Sequence, residues 1–297
     1  MSRSIVVGLD EAAGSRHAAA IASRLARDLD SRAVLVQVLE RRGLLQRFPP
    51  TEIARSRRVR RSLRAVAEEH CFPDRTETLV RKGHPSSVLV AVAEREDAEL
   101  MVVAGGGRST VSIGLLGHVA TALMRDAPCP VVAVSVETVA PMDVQDMRSV
   151  VCGVADDDDT APAALRLADD LATRLGGPLH AVHAYGHVAP DTATPEVELR
   201  EAAENRLGAL LDAAGCVANG VVVALPPAQA LELVAERHHA ALIVVGFGGH
   251  PEAASTVLGP VPTELAAKGR TAVVVVPREP RLEPGSGHYE LAAASPV

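Results

Sequence analysis

Two segments of the sequence carry glycines spaced as in loops that hold phosphate groups. The first segment is VVAGGGRSTVSIGLLGHVA and the second is VVGFGGHPEAASTVLGPVP. Their glycines include Gly105, Gly106, Gly107 and Gly117 in the first segment, and Gly246, Gly249 and Gly259 in the second. Glycine lets the backbone approach a phosphate closely, and a helix that starts after the loop adds free amides. A tight turn that needs positive φ has the same composition, so the glycines alone are weak evidence.

Residues that directly follow a strand are well placed for binding, because ligands of open parallel sheets lie beyond the carboxyl ends of the strands. Asp10 follows the apolar run IVVGL, which is predicted to be the first strand. Its carboxylate could meet a ligand there, or it could cap the first turn of the next helix. Both interpretations are open on the sequence.

The sequence lacks the residues that phosphoryl transfer needs. Neither glycine segment has the Lys of a GKS or GKT motif; the first has Arg108 beside Gly107, and the second has His250. No Ser/His/Asp or Cys/His group stands in a recognisable catalytic setting. The cysteines share no metal-ligand spacing and are expected to be buried or half-buried thiols: Cys71, Cys129, Cys152 and Cys216. We therefore predict a binding protein without enzyme activity and without a metal site.

The elements that would position these loops occur twice. An apolar run and an Ala-rich stretch begin at Ser4 and again at Ser149, and Gly117 and Gly259 are 142 residues apart. Within each copy, strand and helix signals alternate, which favours a parallel sheet with right-handed crossovers. We predict an α/β protein of two tandem Rossmann-like domains, each a five-stranded parallel sheet flanked by helices. Residues 1–139 would form the first domain, 140–148 a linker, 149–277 the second domain and 278–297 a disordered tail.

Composition excludes several function classes. The 297 residues give room for two domains, and the formal charge of −7 offers no general attraction to nucleic acid. No apolar run reaches the roughly 20 residues of a membrane span, and the N-terminus becomes acidic too early for a signal peptide. We therefore expect a cytoplasmic protein with no membrane partner.

The segment ARSRRVRRSLR concentrates positive charge. Its arginines are Arg55, Arg57, Arg58, Arg60, Arg61 and Arg64. Their spacing predicts that they lie around a helix rather than along one face, and no aromatic residues are interleaved for base stacking. A solvated or partner-facing surface is favoured, and nucleic-acid contact is the weaker alternative.

The repeated unit resembles the universal stress protein family. The shared motif is G-x-x-G, nine further residues and a third glycine, set before a last strand of the type PCPVVAV. The second copy matches at Gly246, Gly249 and Gly259; the first matches at Gly107 and Gly117. The segments VVGLD, VRKGHPSSVLVAVAEREDAELMVVAGGG and DAPCPVVAVS are similar as well, so the resemblance covers nearly all of residues 1–277.

The resemblance implies an adenine nucleotide ligand, ATP with or without Mg²⁺, and the fold of the adenine nucleotide alpha hydrolase-like proteins. The loop backbone would cradle the phosphates, and Asp10 would meet the adenosine. The implied nucleotide-binding residues are Asp10, Val38, Ala104, Gly107, Arg108, Gly117, His118, Gly246, Gly249 and Gly259. The resemblance also implies a stress-response regulatory role and pairing of the two last strands as an intramolecular pseudo-dimer. A homodimer and further protein partners are expected in addition.

Departures from the motif favour the first copy as the binding site. The hydroxyl residue that follows the last motif glycine is replaced by His118 and by Pro260, and proline has neither an N–H nor a hydroxyl. Ala104 stands where the first motif glycine is expected. The run Asp156–Asp159 is the nearest counterpart of Asp10, and it would repel a polyphosphate unless Mg²⁺ intervened. A solvated cluster at a helix start is the favoured interpretation of that run.

Two other function classes stay as alternatives. The same departures would permit an interaction scaffold that has kept the fold and lost the ligand. An enzyme of the ATP-pyrophosphatase branch would be expected to carry a Ser-Gly-Gly loop after its first strand. Here that place holds GLDEAAGS and GVADDDDT, so this alternative is disfavoured.

Overall fold

Strands and helices alternate along the chain. The computed structural model describes residues 3–11, 13–40, 49–70, 75–106, 116–138, 147–155, 159–185, 195–248 and 258–277. The first half contains β1 (Ser4–Leu9), α1 (Ala13–Asp28), β2 (Arg32–Leu39), α2 (Pro49–His70), β3 (Thr76–Lys82), α3 (Pro85–Arg95), β4 (Ala98–Ala104), α4 (His118–Asp126) and β5 (Val131–Val134). The second half contains β6 (Ser149–Gly153), α5 (Ala161–Leu175), β7 (Leu179–Ala184), α6 (Glu196–Ala214), β8 (Asn219–Val223), α7 (Pro227–Arg237), β9 (Ala240–Gly246), α8 (Pro260–Lys268) and β10 (Ala272–Val276).

The described strands join one continuous sheet in the order β3-β2-β1-β4-β5-β10-β9-β6-β7-β8. Within each half the neighbouring strands are parallel, as in β1 with β2 and β6 with β7. The halves meet through β5 and β10, which pair antiparallel with Val132 opposite Val274. The predicted class of two five-stranded parallel sheets is confirmed, and so is the pairing of their last strands.

Helices cover both faces of the sheet. On one face α1, α2, α5 and α6 bury side chains such as Leu25 and Leu171, and on the other α3, α4, α7 and α8 bury side chains such as Leu123 and Leu265. Each of these two apolar cores runs through both halves because the sheet does. Double coverage explains why the central strands are almost entirely Val, Ile, Leu and Ala.

The thiols are part of this packing. Cys129 and Cys152 are buried and Cys216 is half-buried, as expected, while Cys71 lies outside the described residues. Burial, with a smaller contribution from Glu99, raises the pKa of the Cys129 thiol to about 12. Cys129 is therefore a protonated, unreactive core residue at neutral pH.

Polar side chains join the two halves beside the β5–β10 pair. Arg174 of α5 donates to the Glu99 carboxylate at 2.7 Å, and the Ser135 hydroxyl donates to the Gly269 carbonyl at 2.6 Å. Burial raises the pKa of Glu99, but the hydrogen bonds from Arg174 and Ser31 outweigh burial and hold that pKa below its ordinary value. Glu99 is therefore ionised at neutral pH, and its contribution to stability is lost only when the pH falls through this lowered pKa.

Gly105 marks a close contact between the halves. A Cβ at this position would lie far inside the van der Waals distance of the backbone carbonyl oxygen of Ala266, in α8 of the second half. This approach of two backbones is sufficient reason for a glycine there. Gly105 therefore serves the packing of the halves, whereas the sequence had suggested a ligand loop.

The arginines of α2 lie on every side of the helix except the one that packs on the core, with Arg58 exposed and Arg55 half-buried on the side away from Arg60. Val59 and Leu63 are 2% exposed and face the core. Arg57, Arg61 and Arg64, at spacings of four and three residues, lie on the opposite, exposed face. Arg60 is exposed beside them. We call this set the basic stripe: Arg57, Arg60, Arg61 and Arg64.

Candidate functional site

The candidate site lies where the carboxyl ends of β1 and β4 meet. The two strands are neighbours, with Gly8 opposite Val103, and each leads to the start of a helix, α1 at Ala13 and α4 at His118. From β1 the chain continues to β2 on one side, whereas β4 lies on the other side. Open parallel sheets bind their ligands at such a switch in strand order, and the positive ends of two helix dipoles favour an anion there.

The start of α4 supplies backbone donors. Its N-cap is Gly117, and no side chain of the described residues caps the helix. The first-turn amides of His118, Val119 and Ala120 have no partner within the helix, so three N–H groups face outward for an anion. The Gly117 amide is already used, because it donates to the Gly105 carbonyl at 2.8 Å. The His118 side chain is exposed.

The start of α8 has the same backbone form but fewer donors. Its N-cap is Gly259, whose amide donates to the Phe247 carbonyl at 3.1 Å. Pro260 and Pro262 have no N–H, so the first turn retains only the amide of Val261. Sequence reasoning weighed Pro260 and missed Pro262, although the letters GPVP show both.

Asp10 is tied into the turn between β1 and α1. Its side chain is exposed, and one carboxylate oxygen accepts the Ser15 hydroxyl at 2.6 Å. The Ser15 oxygen in turn accepts the Asp10 backbone amide at 2.9 Å. Ser15, which sequence reasoning did not single out, therefore fixes Asp10 at the edge of the sheet. Asp10 is thus held at the carboxyl end of β1 by its contacts with Ser15, and the capping of the first turn of α1 stays a prediction.

Ala104 and Val38 flank this edge. Ala104 ends β4, and a Cβ added to Gly14 of α1 would lie 3.3 Å from the Ala104 methyl. The methyl therefore occupies the space between the strand end and the start of α1. Val38 is half-buried in β2, one residue beyond Gln37, which pairs with Leu9 of β1. This register places Val38 level with Asp10.

Gly8 in β1 and Gly153 in β6 occupy equivalent positions, so they align the two halves and show which residue corresponds to Asp10. A Cβ at Gly8 would meet Leu89 and Val103, and a Cβ at Gly153 would meet Leu231 and Val245, the residues 142 positions later. The residue two places after Gly153 is Ala155, so the second half has no carboxylate at the position of Asp10. Asp156, the expected counterpart, lies outside the described residues.

Several other predicted residues fall in parts of the chain that the structure does not describe. They are Gly107, Arg108 and Gly249. Gly246 is described and is buried at the end of β9, at the position equivalent to Ala104. The structure therefore brings Asp10, Val38, Ala104, Gly117 and His118 to one edge, and Gly246 and Gly259 to the matching edge of the second half.

Other kinds of site find no support among the described residues. Within them, no group of three His, Cys, Asp or Glu side chains is arranged to hold a metal ion. Of the helices that are described, none is long and apolar enough to cross a membrane.

The fold and this edge define a tandem Rossmann-like α/β protein in which two homologous halves share one sheet. The sequence model of the universal stress protein family matches residues 1–135 and, a second time, residues 147–277. The chain belongs to the universal stress protein family, as the resemblance indicated.

Known relatives support the tandem organisation. A universal stress protein of Mycobacterium tuberculosis is 28% identical over 224 residues, 73% of each chain. The crystal structure of a universal stress protein from Archaeoglobus fulgidus covers 94% of this chain and 99% of its own, with a TM-score of 0.66 and 19% identity, and so shares the fold. A universal stress protein of the same archaeon in complex with dAMP matches only 43% of this chain and 96% of its own, at a TM-score of 0.34 and 18% identity. That match is too limited to bear on the ligand of this chain.

Proposed function

We propose that the chain binds an adenine nucleotide, ATP in particular, at the edge formed by β1 and β4, and that it acts in the cytoplasm as a non-catalytic stress-response regulator. The main support is the start of α4, where the amides of His118, Val119 and Ala120 face the edge uncapped by any described side chain. Phosphate groups bind at such helix starts because the free N–H groups and the dipole both favour negative charge. Asp10 stands at the end of the neighbouring strand, where a carboxylate can accept a ribose hydroxyl.

The first half is the better of the two candidate sites. At the helix start that would bind the phosphates, the first half offers three backbone amides in the first turn of α4. The second half offers only the amide of Val261, which lies between Pro260 and Pro262 in α8. At the end of the first strand, where the nucleoside would bind, the first half has Asp10 and the second half has Ala155. We therefore infer one dominant nucleotide site per chain.

The ligand-free scaffold is the second candidate. It is favoured by the Ala104 methyl, which fills space beside Gly14, and by the bond that already engages the Asp10 carboxylate with Ser15. Native mass spectrometry of freshly purified protein separates the two. Retention of the mass of one ATP supports binding, whereas a bare chain that takes up no added ATP supports the scaffold.

The variant pair Asp10→Ala/Gly107→Val tests the assignment to the first half. We expect the pair to abolish most ATP binding in isothermal titration calorimetry, because it removes the carboxylate at one end and blocks the loop at the other. Gly249→Val is the matched control in the second half and should leave the affinity unchanged. Loss of binding in Gly249→Val alone would move the site to the second half.

ATP should be bound without enzyme-like turnover. Phosphoryl transfer needs charge stabilisation at the γ-phosphate and a positioned nucleophile. The basic side chains of the first glycine segment are Arg108 and His118, and it has no Lys. We expect phosphate release with ATP and Mg²⁺ to be well below the ~1 s⁻¹ lower end of typical kcat values. Turnover near that value that disappears in Arg108→Ala or His118→Ala would make the protein an ATPase.

A further inference from the structure

The face covered by α2, α1, α5 and α6 changes sign along its length. The helix α2 holds six Arg and three Glu, a net charge of +3, and α1 holds three Arg and one Asp, a net charge of +2. The helix α5 is neutral, with two Arg and two Asp, while α6 holds five acids and two Arg, a net charge of −3. The helix α2 packs on β2 and β3 at one edge of the sheet, and α6 packs on β7 and β8 at the other. The face is therefore positive at one end and negative at the other.

The positive end consists of side chains without counter-charges. Within the described part of the chain, Arg57, Arg60, Arg61 and Arg64 make no hydrogen bond or ion pair, and all four are exposed. Arginine presents a planar fork of donors that matches a carboxylate in bidentate geometry. Four such forks on one helix face repel one another unless anions are placed against them.

The negative end has the complementary form. Ala203 and Leu207 of α6 face the core, and Glu198, Glu201 and Asp212 lie on the opposite side of the helix. These three carboxylates are exposed, and among the described residues none of them is in an ion pair. We call them the acidic stripe.

We propose that two copies of the chain associate through this face, with the basic stripe of each copy against the acidic stripe of the other. Both stripes are on the same side of the sheet, at opposite ends. A two-fold rotation that turns the two faces toward each other brings α2 over α6 at one end and α6 over α2 at the other. Such an isologous contact is closed, so it ends at a dimer. The same rotation places the positive α1 over the neutral α5, so no two helices of like charge meet.

A second copy fits the basic stripe better than a nucleic acid does. The chain carries a net charge of −7, and the acidic stripe on the same face would repel a long polyanion. The helix α2 carries no aromatic residue on which a base could stack. Only a partner with both signs of charge, in the reversed order, matches the whole face, and a second copy is such a partner.

Charge reversal tests the pairing by sedimentation velocity on the full-length chain. A basic-reversed variant carries Arg57→Glu, Arg61→Glu and Arg64→Glu, and an acid-reversed variant carries Glu198→Arg, Glu201→Arg and Asp212→Arg. Each variant has two ends of like charge and should be a monomer under conditions where the wild type is a dimer. Mixed in equal amounts, the two variants should form a one-to-one heterodimer, because both contacts are then opposite in sign. Formation of that heterodimer also shows that both variants are folded.

Salt and a matched control complete the test. Raising NaCl from about 20 to about 500 mM shortens the Debye length from roughly 20 to about 4 Å and should weaken the wild-type dimer at least tenfold. The control variant changes the charge equally on the opposite face, with Arg95→Glu, Arg125→Glu and Arg237→Glu, and should remain a dimer.

A wild type that is monomeric at low salt, or a mixture of the reversed variants that stays monomeric, overturns the proposal. The proposal is also overturned if the wild type is a monomer that binds duplex DNA and the basic-reversed variant no longer binds it. That result would assign the basic stripe to nucleic acid.

Discussion

The double variant His118→Pro/Ala120→Pro is expected to bind ATP roughly 100-fold more weakly than the wild type. The two substitutions give α4 the first turn that α8 already has, with prolines at the first and third helical positions. They remove two of three phosphate donors, and a hydrogen bond to a charged group contributes about 1.5 kcal/mol. The fold should persist, because proline is tolerated in a first helical turn and α8 shows the same pattern in this chain. Isothermal titration calorimetry measures the affinity, and circular dichroism verifies the fold.

The reciprocal variant Pro260→His/Pro262→Ala provides the control for this experiment. It restores two amides at the start of α8 but leaves Ala155 in place of an acid, so the affinity and stoichiometry should stay those of the wild type. A second binding event in this variant would show that helix-start donors alone make a site. Unchanged ATP affinity in the α4 double variant would place the phosphates away from this helix and contradict the proposed site.

The fold could be predicted from the sequence because its signals are local and repeated. The apolar runs of the strands, the Ala-rich helices and the glycines 142 residues apart each specify their element without knowledge of the partner. The pairing of the two last strands was implied by the family resemblance, and it covers the edges of the two apolar strands β5 and β10. The positions of the domain boundaries at 139 and 149 stay predictions, since residues 139–146 lie outside the described part of the chain.

The site was only partly predictable, because its properties depend on contacts between distant residues. The position of Asp10 after β1 was readable, but its bond to Ser15 depends on how the turn closes. Which arginines of α2 face away from the core could be determined only once Val59 and Leu63 were known to be buried. The loss of donors at α8 was visible in the sequence and was underestimated, because only one of its two prolines was weighed.

Gly105 could not be interpreted from its neighbours in the sequence, and its replacement is expected to have a large effect on stability. It follows β4 within a run of three glycines, which suggests a loop that is open to a ligand. In the structure a Cβ at this position would collide with the Ala266 carbonyl oxygen of α8, and a backbone atom cannot move aside as a flexible side chain can. The contact crosses from one half to the other, so relief would require a shift of α8 against β4 and β5.

Gly105→Ala should therefore lower the free energy of unfolding by about 3 kcal/mol, the upper end for overpacking in a protein interior. The melting temperature should fall by roughly 6 °C or more, given the usual relation for chains of this size. The adjacent Gly106→Ala is a close control, because a Cβ there would meet no atom within 4 Å. Its effect should stay within about 0.5 kcal/mol, as for an ordinary surface substitution. Urea unfolding followed by circular dichroism compares the stability of the two variants. Both add the same methyl group, one residue apart. Equal stability of Gly105→Ala and Gly106→Ala would therefore show that α8 does not lie against Gly105.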